Sequence, residues 1–280
     1  MKADLHMHTT ASDGTMRPEQ IVAEAQGKGM THIAVTDHDS VAAIGPATRE
    51  AARRGMALIP GVELSCGAAK EIHILGYGFD SEDEGLLAFC RARTAEREER
   101  ARQMVQQLGA AGVPISLGRV RELARGVVGR PHVARVLVEA GYASSVSDAF
   151  DRYLVPGRCG YVPKHEVKVA QAVEIITCAG GVAVLAHPME LKMGDMALEA
   201  LIGEWKAQGL AGIEVYHPSA ANHQAAYLLR LAQRMGMLVT GGSDFHGENV
   251  RSVEIGQGLD RWARAEQDVA ALLSRCSRTC

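Results

Sequence analysis

Aromatic residues, paired cysteines and surplus basic charge are all scarce in this chain of 280 residues. Phe, Trp and Tyr make up 4% of it, so we expect a core that is mostly aliphatic. The six cysteines include no C-x-x-C pair, which argues against a zinc knuckle and against a disulfide framework. The net charge is −3, so a bulk basic surface for long nucleic acid is excluded, whereas a small anionic substrate is still compatible with it.

Long apolar runs are also absent. No stretch approaches the roughly 20 apolar residues of a membrane span, so we expect no membrane partner. The chain starts Met-Lys-Ala-Asp-Leu-His, without the apolar run of a signal peptide. We therefore expect a cytoplasmic location. The sequence does not indicate the oligomeric state.

Short apolar runs alternate with amphipathic segments such as 17–28 and 44–54. The candidate strands are Ala3–His8, His32–Thr36, Ala57–Val62, Ile72–Gly76, Val182–Ala186, Gly212–Tyr216 and Met237–Thr240. Alternation of this kind favours an α/β fold with a mostly parallel sheet or barrel.

One stretch, from about Gly85 to Val169, breaks the alternation and is predicted to be helical. We therefore expect a barrel built from residues 1–84 and 170–280, with a helical insert over 85–169. The first helix of the insert, 86–108, is rich in Glu and Arg. Glu96 and Arg100 are spaced i,i+4, and we interpret this run as a solvated helix face.

Acids and histidines recur where the candidate strands end. Six strands carry such residues at or near their carboxyl ends: His6 and His8, Asp37 and His38, Glu63, His73, His187, and Asp244 with His246. In a parallel barrel these ends meet at one rim, where active sites are built. Burying that many polar groups costs several kcal/mol each unless something satisfies them. Divalent metals such as Zn²⁺, Mn²⁺ or Fe²⁺ accept this set of ligands.

Simpler interpretations stay open for some of these residues. His73 lies inside its strand and could be a cross-strand surface residue. Asp13, in Ser12-Asp13-Gly14, could cap a turn. We favour Asp37 as an acid that orients a ligand histidine over direct ligation. His217 follows a strand and could line the site without binding metal.

The motifs resemble those of the PHP-domain phosphoesterases, the polymerase and histidinol phosphatase family. The matching segments are Asp4–His8 with Ser12–Gly14, Thr36–His38, Gly61–Glu63, His73–Tyr77, Ala186–Pro188 and Gly242–His246. The resemblance covers the chain apart from the helical insert. It implies a distorted seven-stranded (β/α) barrel that holds two or three metals.

The resemblance also implies three sets of metal ligands. The first set is His6, His8, Glu63 and Asp244. The second is Glu63 as a bridge, His73 and His187. The third is Asp13, His38 and His246, in which some relatives have histidine at the position of Asp13. Mn²⁺ is the metal we expect first, with Zn²⁺ or Fe²⁺ as the alternatives.

The insert contains Gly129–Arg135 and Gly160–Lys164, which resemble segments of members that act on nucleoside 3′,5′-bisphosphates or on the 5′ ends of short RNA. We expect Arg130 and Lys164 to clamp phosphate, with Ser12 and His132 beside them, although both cations could equally be ordinary surface residues.

The sequence thus predicts a metal-dependent phosphomonoesterase. It would convert nucleoside 3′,5′-bisphosphates to 5′-monophosphates by attack of a hydroxide that bridges the metals. We expect His217, His246 or a metal-bound water to protonate the leaving alcohol. We expect Asp37 to support the site. The alternatives are a 5′→3′ exoribonuclease on short RNA, a histidinol-phosphate phosphatase, and a non-catalytic module stabilised by metal.

Overall fold

The computed structural model describes residues 1–67, 71–124, 126–247 and 253–276. Its strands are β1 Ala3–Asp4, β2 His32–Val35, β3 Ala57–Cys66, β4 Ile72–Tyr77, β5 Val182–Leu185, β6 Gly212–Tyr216 and β7 Leu238–Gly241. They form one sheet in sequence order, β1 to β7. All neighbouring pairs are parallel except β3–β4 and β4–β5, because β4 runs in the opposite direction.

The sheet curves until its first and last strands meet. Leu5 N donates to Gly241 O at 3.1 Å, and Asp244 N donates to His6 O at 2.8 Å. Met7 forms a parallel bridge with Phe245 just beyond the two strands. The seven strands are therefore nearly closed into a barrel surrounded by helices, and the predicted fold class is confirmed.

The helices are α1 Pro18–Gly27, α2 Ile44–Arg54, α3 Glu84–Ala110, α4 Leu117–Ala124, α5 Arg130–Glu139, α6 Val146–Ala149, α7 Val169–Cys178, α8 Asp195–Ala207, α9 Asn222–Met235 and α10 Ala265–Cys276. A π-helical turn, Phe150–Leu154, continues α6, and a 3₁₀ turn, Pro188–Leu191, follows β5. Among the described residues, no helix is both long enough and apolar enough to span a membrane.

Apolar spacing explains how the barrel helices pack. In α2 the buried residues are Ile44, Ala47 and Ala51, which lie on one face at helical spacing. The helix ends at Gly55, whose φ of 67° is the left-handed conformation that glycine adopts without strain. All four residues of β5 are buried, as expected for a strand covered on both faces.

The helical stretch between β4 and β5 has a hydrophobic core of its own. Met104 and Leu108 of α3 pack there with Val133 and Leu137 of α5 and with Leu154. This core is distinct from the clusters that line the barrel. The arrangement is what a helical insert would produce, while the boundaries at residues 85 and 169 stay a prediction.

Three details differ from the sequence prediction. Strand β1 ends at Asp4, so His6 and His8 lie in the segment after it. Strand β3 continues past Val62 to Cys66, because its second half pairs with β4, so Glu63 lies inside the strand. Strand β4 is antiparallel, and His73 therefore lies near its amino end rather than its carboxyl end. The cysteines within the described ranges are free, whereas Cys280 lies outside them.

Candidate metal centre

One rim of the barrel gathers most of the residues predicted from the strand ends. The parallel strands reach this rim with their carboxyl ends, and β4 reaches it with its amino end because of its reversed direction. Alternation along β4 also directs Glu71 and His73 to the same face of the sheet. The cluster comprises His6, His8, Asp13, His38, Glu63, His73, His187, His217, Asp244 and His246.

Glu63 lies at the centre of this cluster and is buried. Its Oε1 lies 2.9 Å from His73 Nδ1 and 3.1 Å from His187 Nε2. Its Oε2 lies 2.9 Å from His38 Nδ1 and 3.2 Å from His8 Nε2. His6 Nε2 also lies 3.4 Å from Oε1, so at least two imidazoles face each carboxylate oxygen, an arrangement that fits a bridging carboxylate.

The other ligand atoms converge on either side of Glu63. On one side, Asp244 Oδ1 lies 3.3 Å from His6 Nε2 and 3.2 Å from His8 Nε2, which are themselves 3.2 Å apart. On the other side, Asp13 Oδ1 lies 3.3 Å from His246 Nε2.

His38 spans the second and third predicted ligand sets. Its Nδ1 faces Glu63, and its Nε2 lies 3.8 Å from Asp13 Oδ2. The resemblance assigns His38 to the third set alone, but here its two nitrogens face acids of two sets. The ligand assignments therefore stay predictions, and His38 can serve either neighbouring position.

The donor atoms fit divalent metal ions. Side-chain atoms that could bind a common ion come within 4.8 Å of one another in several groups of buried or half-buried residues. Within the described part of the chain, His38 Nδ1, Glu63 Oε2 and His73 Nε2 are buried and make no hydrogen bond of ordinary geometry, although the first two atoms lie 2.9 Å apart. Leaving such atoms unsatisfied is costly, whereas a cation satisfies several of them together. Clusters of this kind are consistent with a polynuclear metal site.

Local charge keeps the acids of the cluster ionised. Burial by itself would raise the pKa of Glu63, but the positive charges of His73, His38 and His6 lower it well below its ordinary value. For Asp13, burial is likewise outweighed, chiefly by His246 and His38, and its pKa is also lowered. Ionised carboxylates are the form in which these side chains bind metal.

Glu214, in β6, is a supporting residue that sequence reasoning missed. It is fully buried, and its Oε1 lies 3.0 Å from His6 Nδ1. Its Oε2 accepts a hydrogen bond from the backbone N–H of His187 at 2.7 Å. A carboxylate that holds one imidazole nitrogen fixes the tautomer and leaves the other nitrogen free for a metal. The sequence signal for this role was an acidic residue inside the otherwise apolar run Gly212–Tyr216.

Asp37 has a different role from the one expected. Its carboxylate accepts hydrogen bonds from Thr9 N at 2.7 Å, Thr9 Oγ1 at 2.7 Å and Ser12 Oγ at 2.6 Å. It therefore anchors the turn after β1 and does not orient a histidine directly. Ser12 in turn lies 3.5 Å from His8 Nδ1, so the link from Asp37 to a ligand histidine passes through this hydroxyl.

Two residues of the cluster have backbone conformations that are unfavourable for side chains other than glycine. Asp244 has a φ of 56°, and His187 has a φ of 28°. Such conformations cost of order 1–3 kcal/mol each and persist at functional sites where the surroundings fix them. Asp4 helps to fix the segment before Asp244, because its carboxylate accepts from Ser243 N at 2.9 Å and from Gly256 N at 2.7 Å.

A cavity of about 220 Å³ opens over the cluster. Asp13, His38 and His73 line its floor, and Arg97, Arg100 and Arg130 line its walls. The interpretation of α3 as a solvated face is therefore wrong for Arg97 and Arg100. Arg97 Nε donates to Asp39 Oδ2 at 2.7 Å, and Arg100 Nε donates to Val162 O at 2.8 Å. A charged helix gives no sequence signal for which of its arginines turn inward.

A second cavity of about 370 Å³ adjoins the first. The two share Ser65, Glu71, Arg97 and Arg100 among their lining residues, and the second also includes Lys164 and His165. Together they form a groove that leads from the metal-ligand cluster along α3.

The predicted phosphate clamps, Arg130 and Lys164, meet at Glu71. Arg130 Nη2 donates to Glu71 Oε2 at 2.7 Å, and Lys164 Nζ lies 3.7 Å from Glu71 Oε1 while it donates to Cys66 O at 2.6 Å. Partial burial by itself would raise the pKa of Glu71, but Arg130, His73 and Lys164 lower it to about 2. Both cations are thus partly buried and turned toward the groove instead of toward open solvent.

Ser12 and His132, the other predicted substrate contacts, differ in position. Ser12 lines the 220 Å³ cavity. His132 is buried, lies outside the lining of that cavity, and accepts the backbone N–H of Gly129 at its Nδ1 at 3.0 Å. Its ring therefore closes the first turn of α5 and supports the neighbouring Arg130.

The two predicted proton donors have opposite tautomers. His217 Nδ1 accepts the backbone N–H of Ser219 at 3.1 Å, so a neutral ring carries its proton on Nε2, which lies 3.5 Å from Asp244 Oδ2. His246 Nδ1 lies 2.8 Å from the carbonyl oxygen of Asp244, to which it can only donate. In the neutral ring that a metal would bind, Nε2 is then unprotonated and faces Asp13.

Comparison with known proteins finds relatives that match most of the chain. Residues 4–119 match the family model described as PHP domain. The chain is 38% identical to the 5′-3′ exoribonuclease Rnm of Escherichia coli, over 91% of this chain and 88% of that protein. It is 37% identical to the 3′,5′-nucleoside bisphosphate phosphatase of Chromobacterium violaceum, over 89% and 90% respectively. A solved structure from Bifidobacterium adolescentis matches with a TM-score of 0.85 and 31% identity, over 98% of this chain and 96% of the other.

Proposed function

Because the chain belongs to the PHP-domain family of metal-dependent phosphoesterases, we propose that it removes the 3′-phosphate of nucleoside 3′,5′-bisphosphates and yields nucleoside 5′-monophosphates. The observation that carries this proposal is the cavity that combines metal-ligand residues with three arginines. One phosphate can lie against the ligand cluster while a second, several bonds away, meets Arg130, Arg97 or Arg100. A substrate with two phosphates uses both parts of the cavity.

The metals, when bound, supply a nucleophile at neutral pH and neutralise the charge that develops on the phosphate oxygens. We assign His6, His8, Glu63, His73, His187, Asp244, Asp13, His38 and His246 to two or three ions. The ligands are nitrogen and oxygen only, which suits Mn²⁺ first and Zn²⁺ or Fe²⁺ as alternatives.

His217 is the general acid of this proposal. In the hydrolysis, a P–O bond forms to the oxygen of water, and the bond between phosphorus and O3′ breaks. O3′ then needs a proton, and the tautomer held by Ser219 places one on His217 Nε2 beside the ligand cluster. His246 is less suited, since its only proton faces a backbone carbonyl. Asp37 contributes by holding the turn that carries Ser12 and Asp13.

The 5′-phosphate is the second anion in this proposal. Arginine offers a planar fork of donors for phosphate, and Arg130 lies at the amino end of α5, where backbone dipoles also favour negative charge. Lys164 lines the adjoining part of the groove and adds a point charge there.

The second candidate function is 5′→3′ exoribonuclease activity on short RNA. The specific observation in its favour is the adjoining 370 Å³ cavity, which leaves room beyond one nucleotide. The chemistry is the same, because release of a 5′-mononucleotide also breaks the bond between phosphorus and O3′. Relatives of similar identity carry both names.

Histidinol phosphate is a poorer candidate. Its amino group is a cation, and the wall beside the ligand cluster already carries Arg97, Arg100 and Arg130. These cations offer a site for a second phosphate, which histidinol phosphate does not have, so the cavity suits a bisphosphate better.

The test is phosphate release by the Mn²⁺-loaded protein from adenosine 3′,5′-bisphosphate, with the nucleotide product identified by chromatography. Release of phosphate with adenosine 5′-monophosphate as product is the expected result. Adenosine 3′-monophosphate as product would contradict the proposed orientation. A higher kcat/KM on 5′-phosphorylated di- and trinucleotides than on the bisphosphate would favour the exoribonuclease.

A further inference from the structure

Glu71 occupies the position in which the proposed function places the second phosphate. Its carboxylate accepts a hydrogen bond from Arg130 Nη2 at 2.7 Å and lies 3.7 Å from Lys164 Nζ. Glu71 directly precedes β4 and lies two residues before His73. It lines both cavities of the groove, so it is within the space that a substrate would enter.

Two other arginines, the ones that line both cavities of the groove, are held by buried or backbone partners. Arg97 is paired with Asp39, which is buried, and it also donates to Ser65 Oγ at 2.7 Å. Arg100 donates to the backbone carbonyl of Val162. Arg130 differs from them because its partner is a side chain that can move, since 46% of the Glu71 side chain is exposed to solvent. A more highly charged anion can therefore displace it at little cost in packing.

We propose that Glu71 is an internal competitor that holds the anion position of Arg130 and Lys164 until a phosphate displaces it. The inference rests on the proposed function, in which that position receives the 5′-phosphate. A phosphate monoester dianion offers two charges and three acceptor oxygens, and it outcompetes a carboxylate for an arginine fork. A phosphodiester carries one charge, as Glu71 does, and binds the position more weakly. Because displacement of Glu71 lowers the affinity for both anions by the same factor, the dianion still fills the position at concentrations at which the phosphodiester no longer does.

The experiment measures binding of two probes by calorimetry to the Mn²⁺-loaded protein at fixed ionic strength. The first probe is adenosine 5′-monophosphate, and the second is its 5′-O-methyl ester, which is singly charged. Glu71→Gln keeps the shape of the side chain and an acceptor for Arg130 but removes the competing charge. We expect the variant to bind both probes about tenfold more tightly than the wild type does, with the ratio of the two affinities unchanged.

Glu98→Gln is the matched control. Glu98 lies on α3, lines neither of the two cavities, and accepts a hydrogen bond from Arg121 Nε at 2.6 Å. We expect this variant to bind both probes as the wild type does.

Unchanged affinity for both probes in Glu71→Gln would overturn the inference, because Glu71 would then not compete with them. So would weaker binding of both probes, because Glu71 would then only position Arg130. Wild-type protein that binds neither probe would also overturn it, since no anion would displace Glu71. Binding is read without turnover, so failure of the proposed hydrolysis is a separate result.

Discussion

Each oxygen of the Glu63 carboxylate faces at least two imidazoles, and we predict that Glu63→Gln abolishes turnover while the fold is retained. The amide keeps the shape but loses the negative charge that a bridging ligand needs, and its NH₂ group faces nitrogens that would bind metal. We expect phosphate release to fall by about 10³-fold or more, on the scale of losing a major electrostatic contribution to catalysis. The measurement is the release rate, with circular dichroism to verify the fold.

The control for this change is Glu199→Gln, an exposed acid on α8 that pairs with Arg234. We expect near wild-type activity from it. Near-normal activity of Glu63→Gln itself would contradict the bridging role.

Glu214 supports the cluster without facing Glu63, so its replacement should weaken metal binding more gently. Glu214→Gln removes the negative charge beside His6 Nδ1. It also weakens the hydrogen bond that Oε2 accepts from the backbone N–H of His187. Loss of such a supporting partner typically costs 10–100-fold in metal affinity or activity, and we expect about that loss here. Titration of metal-free protein with Mn²⁺ gives the affinity. An unchanged dissociation constant would show that packing alone holds His6.

At the scale of elements, strand order and direction decide which side chains meet. The apolar runs predict all seven strands within a few residues, and the strand-end acids and histidines predict the cluster. The direction of β4 is not legible from its own sequence, because an alternating run pairs in either sense. For that reason His73 looked misplaced inside its strand, although the reversed direction takes it to the same rim.

Long-range contacts explain what sequence reasoning could not reach. Glu214 meets His6 across 208 residues, and Arg97 meets Asp39 across 58. Neither partner is marked by local spacing, since helical periodicity only pairs residues three or four apart. The charged face of α3 therefore looked solvated, while two of its arginines line the site.

Arg97 connects α3 to the barrel, and we predict that Arg97→Met destabilises the protein. The change leaves the carboxylate of Asp39 buried without its cation, although Ser65 N still donates to it at 3.0 Å. Breaking a buried pair by removing one partner costs about 3–5 kcal/mol in the free energy of unfolding. Urea unfolding at pH 7 measures the loss. Arg102→Met, an exposed arginine on the same helix, is the control.

The same pair predicts a dependence on pH. Burial by itself would raise the pKa of Asp39, but Arg97 and the N–H of Ser65 lower it, so in the wild type this stabilisation is present above the unfolded pKa of about 3.9. It is lost as the pH falls through the lowered folded value. In Arg97→Met the unpaired carboxylate is protonated more easily, so the difference in unfolding free energy should shrink between pH 7 and pH 4. A difference that is constant with pH would contradict an electrostatic origin.

At the scale of the whole molecule, two separately packed regions contribute different chemistry to one groove. The barrel rim supplies the metal ligands, and the helical stretch between β4 and β5 supplies Arg97, Arg100 and Arg130. The sequence motifs predict the family and its reaction class. They do not decide between a bisphosphate and a short RNA, because the groove depends on how the helical stretch packs over the rim.

Metal removal separates an enzyme from a non-catalytic module stabilised by metal. The barrel has a large apolar core apart from the ligand cluster, so we expect the metal-free protein to stay folded and to lose phosphate release completely.

At a free Mn²⁺ concentration about 1,000-fold above the dissociation constant, metal binding stabilises the folded state by about 4 kcal/mol. With about 2–4 °C per kcal/mol for a chain of roughly this size, the melting temperature should rise by about 8–16 °C. Calorimetric scans and phosphate release before chelation, after it and after return of Mn²⁺ measure both effects on one sample. Unfolding on chelation would favour the non-catalytic module. The same conclusion would follow if the reloaded protein regained its melting temperature but hydrolysed none of the candidate phosphate esters, because the metal would then serve the fold alone.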